Sequence, residues 1–201
     1  MISHDRYELI RGKYGKVASW AVWDAQGDRP KSNMGPQRIF DLDLNPTLLD
    51  TITPSVVMVG LNFSREVECR YDFSNFHDEN PHANDFKIRY AFIDTPYYGA
   101  YMTDVLKNLV IPNAQSVREY LKQNPNVVRP HIDKFETELT DLGFTKPMIL
   151  AFGRDVFGLL NKNLSHERYS HLIQVTHYSH QIRKEKYRED ILSQIENALS
   201  K

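Results

Sequence analysis

Two short apolar runs, Val57-Met-Val-Gly-Leu-Asn-Phe63 and Val175-Thr-His-Tyr-Ser-His180, each stop abruptly at residues able to do polar chemistry. Runs of this kind read as strands buried on both faces, which occur mainly in parallel sheets covered by helices. In open α/β sheets ligands bind at the carboxyl ends of the strands. Gly60-Leu-Asn62 and His177-Tyr-Ser-His180 are therefore expected to form two walls of one pocket, although they lie far apart in sequence.

Two further runs extend the pattern. Gly99-Ala-Tyr-Met-Thr-Asp104 reads as a strand or strand end, with Thr103 or Asp104 capping a helix that begins at Val105. Pro147-Met-Ile-Leu-Ala-Phe152 is a strand that Gly153 turns directly into a helix at Arg154–Asn161, and His171–Thr176 is the strand after it. Val128, Ile132, Phe135, Leu139 and Leu142 predict an amphipathic helix over 127–142, ended by Gly143. Tyr187, Ile191, Ile195 and Leu199 predict another at the C-terminus. Strands alternating with helices over 55–200 predict a three-layer α/β/α sandwich with a central four-stranded parallel sheet.

Before these elements, alternation around Val17, Ser19, Ala21 and Trp23 predicts a strand within 13–24. Gly27, Pro30, Gly35 and Pro36 mark an irregular stretch. Asn45 and Pro46 predict a short helix over 45–53. No repeat or linker splits the chain, so residues 1–201 read as one domain. It has an N-terminal extension over 1–54 and a long polar insertion at about 64–98, a length that is usually functional or partly helical.

A net charge of −1 and a pI near 6.7 argue against a protein that coats nucleic acid by bulk charge, while leaving a local basic face open. Cys69 is alone, which excludes an internal disulfide and a cysteine-based zinc site. With no apolar signal core and no membrane-length apolar run, a cytoplasmic monomer without membrane contact is expected.

Each candidate residue carries a structural reading beside the functional one. Asn62 offers a donor and an acceptor at a strand end, or it forms an Asx-turn or cap. His177 and His180 can donate to developing negative charge or act as acid or base, or they are packing and surface histidines. His77, His82, His177 and His180 make no compact ligand motif with a carboxylate, so no metal and no cofactor are expected. Asp104 either reads the edge of a bound base or accepts a proton, or it caps a helix. The aromatics of 71–77 either stack on a nucleobase or anchor a loop. Arg183, Lys184, Lys186 and Arg188 either hold phosphates or form a solvated helix start. A serine-nucleophile elbow, a phosphate loop and a dinucleotide fingerprint are all missing.

Taken in order, Gly60-Leu-Asn62, Tyr101-Met-Thr-Asp104, Leu150-Ala-Phe-Gly153 and His177-Tyr-Ser-His180 resemble the uracil-DNA glycosylase superfamily, nearest its mismatch-specific and single-strand-selective branches. The resemblance covers about residues 55–199 and implies a DNA or nucleotide partner and a pocket for a flipped base. It also implies hydrolysis of the N-glycosidic bond of uracil or another altered base in DNA repair. By position, Asn62 would hold the attacking water and His177 would stabilise the departing base. Phe63, Phe73 or Phe76 would stack on the base and Asp104 would face it. Ser179 would meet a phosphate, with His180, Arg183 and Lys184 along the DNA. Phe63 and Tyr178 stand where the family carries prolines. A non-catalytic nucleotide or nucleic-acid binding protein on the same fold is the alternative.

Overall fold

The computed structural model describes residues 2–23, 37–63, 71–77 and 83–200. At its centre lie β1 (Ala18–Trp20), β2 (Thr53–Phe63), β3 (Ala100–Val110), β4 (Met148–Phe152) and β5 (His171–Val175), in the order β1-β3-β2-β4-β5. Strands β3, β2, β4 and β5 run parallel, while β1 pairs antiparallel with Tyr101–Thr103 at the outer edge of β3. The expected four-stranded parallel sheet is thereby corrected to a five-stranded mixed one. All three residues of β1 are buried, so this short strand covers what would otherwise be an open parallel edge.

Side chains alternate across the sheet as strand geometry requires. Val57, Val59, Ile149, Ala151, Tyr101 and Val105 enter one apolar cluster; Met58, Leu150, Phe152 and Met102 enter the other. The first face is covered by α1 (His4–Tyr14), α4 (Ala114–Gln123), α5 (Val128–Asp141) and α6 (Arg154–Asn163), through residues such as Tyr7, Val117, Phe135 and Leu160. The second is covered by α3 (Phe86–Phe92) and α7 (Lys184–Leu199), through Phe92, Tyr187 and Ile191. Each fully buried side chain of this size contributes about 1.5–3 kcal/mol. A single turn, α2 (Leu48–Thr51), leads into β2 and is narrower than the helix expected over 45–53.

The largest departure concerns β3. The helix expected from Val105 is a continuing strand, so Thr103 and Asp104 are interior strand residues and cap nothing. Pairing with β2 runs from Gly60↔Asp104 to Asn62↔Leu106, then jumps to Phe63↔Val110. The extra residues of β3 form a bulge at Asn108, whose φ of 60° is left-handed. Asparagine tolerates that conformation better than most side chains.

Near the N-terminus, Lys13 and Tyr14 belong to α1, which Ser3 caps by accepting from the Arg6 N–H, so the strand expected within 13–24 shrinks to three residues. Residues 71–77 return to this edge: Phe73 N–H donates to Gly15 O at 2.6 Å and Ser19 Oγ donates to Phe73 O at 2.5 Å. Gly27, Pro30, Gly35, Pro36, Cys69 and His82 lie outside the described residues.

Candidate functional site

The carboxyl ends of β2, β4 and β5 open into a cavity of about 660 Å³, a size common among small-molecule sites. Its walls are Gly60–Asn62, Asp104, the approach to α4 at Ile111–Ala114, the β4–α6 turn at Phe152–Val156, His177–Ser179, and Ala83–Asp85 ahead of α3. Two helix N-termini thus face the space, those of α4 and α6, and helix N-termini favour negative charge.

Asn62 is fixed by the β3 bulge. Its Nδ2 donates towards Phe63 O at 2.7 Å, Ile111 O at 3.0 Å and Leu109 O at 3.1 Å. Three carbonyls around one end of the amide require that end to be the NH2 group, because an oxygen there would face only acceptors. Oδ1 is therefore the outward atom. It receives no donor among the described residues, and Asn62 lines the cavity.

His177 is fixed in its tautomer. The main-chain N–H of Ser179 donates to Nδ1 at 3.1 Å, and Ser179 Oγ lies 2.8 Å from the same nitrogen. A backbone N–H can only donate, so Nδ1 holds the lone pair and the ring proton resides on Nε2. Burial pulls the imidazole down to about 4, which leaves it neutral at pH 7. Tyr178 stacks on it at 4.3 Å between ring centres, and Phe152 meets Tyr178 edge-on at 5.4 Å. The site thus holds a neutral N–H donor in an aromatic wall.

Asp104 is 4% exposed and leans over Gly60, where a Cβ would lie 2.2 Å from its Oδ1. Its Oδ2 accepts from Asn75 Nδ2 at 3.1 Å, and Asn75 is itself held by Val17 O and the Phe76 N–H. Burial pushes the carboxyl up to about 6; the Asn75 hydrogen bond and the charge of Lys107 oppose this, and the charge of Glu138 adds to it. Lys107 is committed elsewhere: its Nζ donates to the main-chain carbonyl of Asp104 at 2.8 Å and pairs with the fully buried Glu138. Glu138 Oε1 also accepts from Tyr101 at 2.7 Å and Thr103 at 3.0 Å.

Asn62, Asp104, His177 and Ser179 therefore meet at one cavity, and the other sequence candidates do not line it. Phe73 is fully buried among Tyr7, Trp20 and Phe40, beyond reach of any ligand. Phe76 lies beneath the site, against Gly60 and edge-on to Tyr178. Phe63 pairs with Val110 beyond the bulge. His77 is buried between Trp23 and Phe40, with Nε2 3.2 Å from Trp20 O.

The basic run is largely engaged within the fold. Lys184 sits 4.4 Å over the Tyr90 ring and pairs with Glu185, Lys186 pairs with Glu189 and Asp190, and Arg188 donates to Tyr90 O and Ile93 O. Arg183 and His180 are exposed, and the His180 carbonyl accepts from Lys87 at 2.7 Å. The cation in the cavity wall is instead Arg154, exposed and without an ion-pair partner among the described residues. Its place directly after Gly153 at a strand end is the signal that could have found it. For the aromatic walls, Phe152 and Tyr178, the same strand-end rule was available; for Asn75 no sequence signal exists.

No group of three or more potential metal-ligating side chains is found among the described residues, and none of their helices is long and apolar enough to cross a membrane. No family model matches the chain, and comparison with curated proteins and with solved structures gives no match. The functional reading accordingly rests on the cavity itself.

Proposed function

We propose that the cavity is a nucleobase site and that the protein hydrolyses an N-glycosidic bond, releasing uracil or another altered base from DNA. The observation that carries this reading is the pair of oriented groups lining one cavity. Asn62 turns an acceptor oxygen outwards, and His177 keeps a neutral Nε2–H donor. Breaking the bond between sugar and base leaves positive charge on the sugar and negative charge on the base. A fixed donor aimed at the base oxygen stabilises the latter by roughly 3–4 kcal/mol. An amide is no strong base, yet Asn62 Oδ1 can hold a water in line with C1′, and Asp104 is a second acceptor beside it. The aromatic wall of Phe152 and Tyr178 supplies stacking area for an extruded base.

A second reading is a binding protein for a nucleotide on the same fold. One observation favours it: three of the four basic residues at 183–188 are engaged by Tyr90, Glu185, Glu189, Asp190 or main-chain carbonyls, so the wall offers Arg154 for a phosphate rather than a long basic track.

A base-release assay separates the two. End-labelled single- and double-stranded oligonucleotides carrying uracil, hypoxanthine or xanthine are incubated with wild type, Asn62→Ala and His177→Ala. Hydrolysis predicts release that Asn62→Ala abolishes and His177→Ala slows by roughly 10²–10³-fold. Release that persists in Asn62→Ala removes that residue from the mechanism. A folded wild type that releases nothing from any substrate leaves the binding reading.

A further inference from the structure

We infer that Asp104 is the general base of the reaction: its carboxylate receives the proton of the water that Asn62 holds. The inference rests on the reading of the cavity as a site of N-glycosidic hydrolysis and deepens it.

It begins with the register of the sheet. Gly60 pairs with Asp104, and both line the cavity. Side chains alternate along a strand, so Met58, Gly60 and Asn62 share one face of β2, with Met102 and Asp104 beside them on β3. Gly60 has no side chain, and Asp104 Oδ1 takes that space: a Cβ there would stand 2.2 Å from it. The carboxylate thus lies at the strand end that carries Asn62. Asn75 fixes it there, donating to Oδ2 at 3.1 Å while held itself by Val17 O and the Phe76 N–H.

The usual structural roles of a buried carboxylate are not its own. Strand β3 continues through Asp104, so it caps no helix. Among the described residues no cation pairs with its carboxylate, because Lys107 donates to the Asp104 main-chain carbonyl and pairs with Glu138. At 4% exposure such a charge weighs against stability, a cost often found where a residue serves function.

The chemistry gives it a role. Asn62 Oδ1 and the Asp104 carboxylate are two acceptors on one face, and a single water can donate one hydrogen to each, which turns its lone pair towards the substrate. An amide oxygen takes no proton near neutral pH, whereas a carboxylate does. As the water oxygen bonds C1′, the C1′–N bond breaks and its electron pair leaves with the base. The water proton passes to Asp104 and then to solvent. The base anion, met by the Nε2–H of His177, takes a proton from solvent, so the sum is water consumed, free sugar and free base.

Burial pushes the Asp104 carboxyl up to about 6, against the Asn75 hydrogen bond and the charge of Lys107 and with the charge of Glu138. A base poised close to the working pH is the efficient one. The other ionisable groups at the cavity are Asp85 ahead of α3, Arg154 and Asp155 at the start of α6, and His177 and Tyr178 after β5. Asp155 pairs with Arg118. Burial pulls His177 down to about 4 and pushes the Tyr178 hydroxyl up, so neither titrates near 6.

Single-turnover base release from uracil and hypoxanthine oligonucleotides tests this, followed from pH 5 to 8.5 for the full chain and for Asp104→Asn, with thermal unfolding of both. The wild-type rate is expected to level off above about 6 and to fall roughly tenfold per pH unit below it. Asp104→Asn is expected to be slower by roughly 10²–10⁴-fold and to lose that acid limb, while unfolding no earlier than wild type at pH 7.5. A merely structural residue would lose stability and rate together and leave the acid limb in the residual activity. A variant that keeps the wild-type rate, or keeps the acid limb, overturns the inference while hydrolysis stands. The wild-type profile decides alone if the variant fails to fold: a limb near 6 upholds the inference and a flat profile overturns it. A folded wild type that releases no base removes the hydrolysis reading and the inference together.

Discussion

The contact between Gly60 and Asp104 can be measured by substitution. Gly60 lies within β2 with no left-handed backbone, so an alanine there meets no conformational penalty. Its cost is steric: the new Cβ would stand 2.2 Å from Asp104 Oδ1 and 3.3 Å from Phe76 Cζ. The carboxylate must move, and its bond from Asn75 stretches or breaks. Overpacking of this kind costs about 1–3 kcal/mol, offset by roughly 0.5–1 kcal/mol from replacing a strand glycine. For a chain of this length the net of about 0–2.5 kcal/mol lowers Tm by up to roughly 10 °C. Asp104→Ala alone removes a desolvated carboxylate together with its hydrogen bond, so a small effect of either sign is expected. The double variant Gly60→Ala/Asp104→Ala has no clash left. It should be more stable than the sum of the single effects predicts, by about 1–2 kcal/mol of coupling. Urea unfolding of the four proteins at pH 7.5 gives the cycle. Additive effects would refute the seating of the carboxylate on Gly60.

Other consequences follow from the same residues. Asn62→Asp puts an oxygen where three carbonyls converge; loss of those bonds should destabilise by about 2–4 kcal/mol in urea unfolding at pH 7.5, and a variant as stable as wild type would mean the amide is not locked. At Asn108, whose φ is 60°, glycine should be tolerated and valine should cost about 1–3 kcal/mol, with both read by thermal unfolding. Asp104→Asn should raise stability above pH 6. The folded carboxyl titrates at about 6 against an ordinary 3.8, so its favourable contribution is complete below 3.8 and lost as pH rises through 6. His177 and His77 have the opposite sign. Burial lowers them to about 4 and about 3 from 6.5, so their contribution is present above 6.5 and lost as pH falls towards those values. Between pH 7 and 5 the histidines outweigh Asp104, and a net loss on the order of 2 kcal/mol is expected in urea titrations. His77→Phe should flatten that dependence.

What could be read from the sequence followed the reach of the interactions involved. Val57–Val59, Ile149–Ala151 and Ile173 are strands because sheet burial imposes a local apolar pattern, and α5 and α7 are helices because their spacing repeats locally. Those signals sit within a few residues of what they specify, and the strand-end rule then brings Asn62 and His177 to one place. The character of Asp104 has no local signal. Thr103-Asp104 before Val105-Leu106 fits a cap and a helix start equally well in one dimension. Only the pairing of Gly60 with Asp104 makes it a strand residue. Its ionisation depends on Asn75, Lys107 and Glu138, which come from three separate segments, and the first belongs to an insertion whose aromatics had drawn attention instead. The same distinction explains Phe73 and the basic run. Residue type suggested ligand contacts, but Phe73 completes an aromatic cluster with Tyr7, Trp20 and Phe40, and Lys184 and Arg188 tie α7 to α3 through Tyr90 and Ile93. Side chains at a strand end face solvent or ligand by default, because the strand stops there. Those in a returning loop can complete the core instead. The strand-end residues are therefore the ones on which function is best argued.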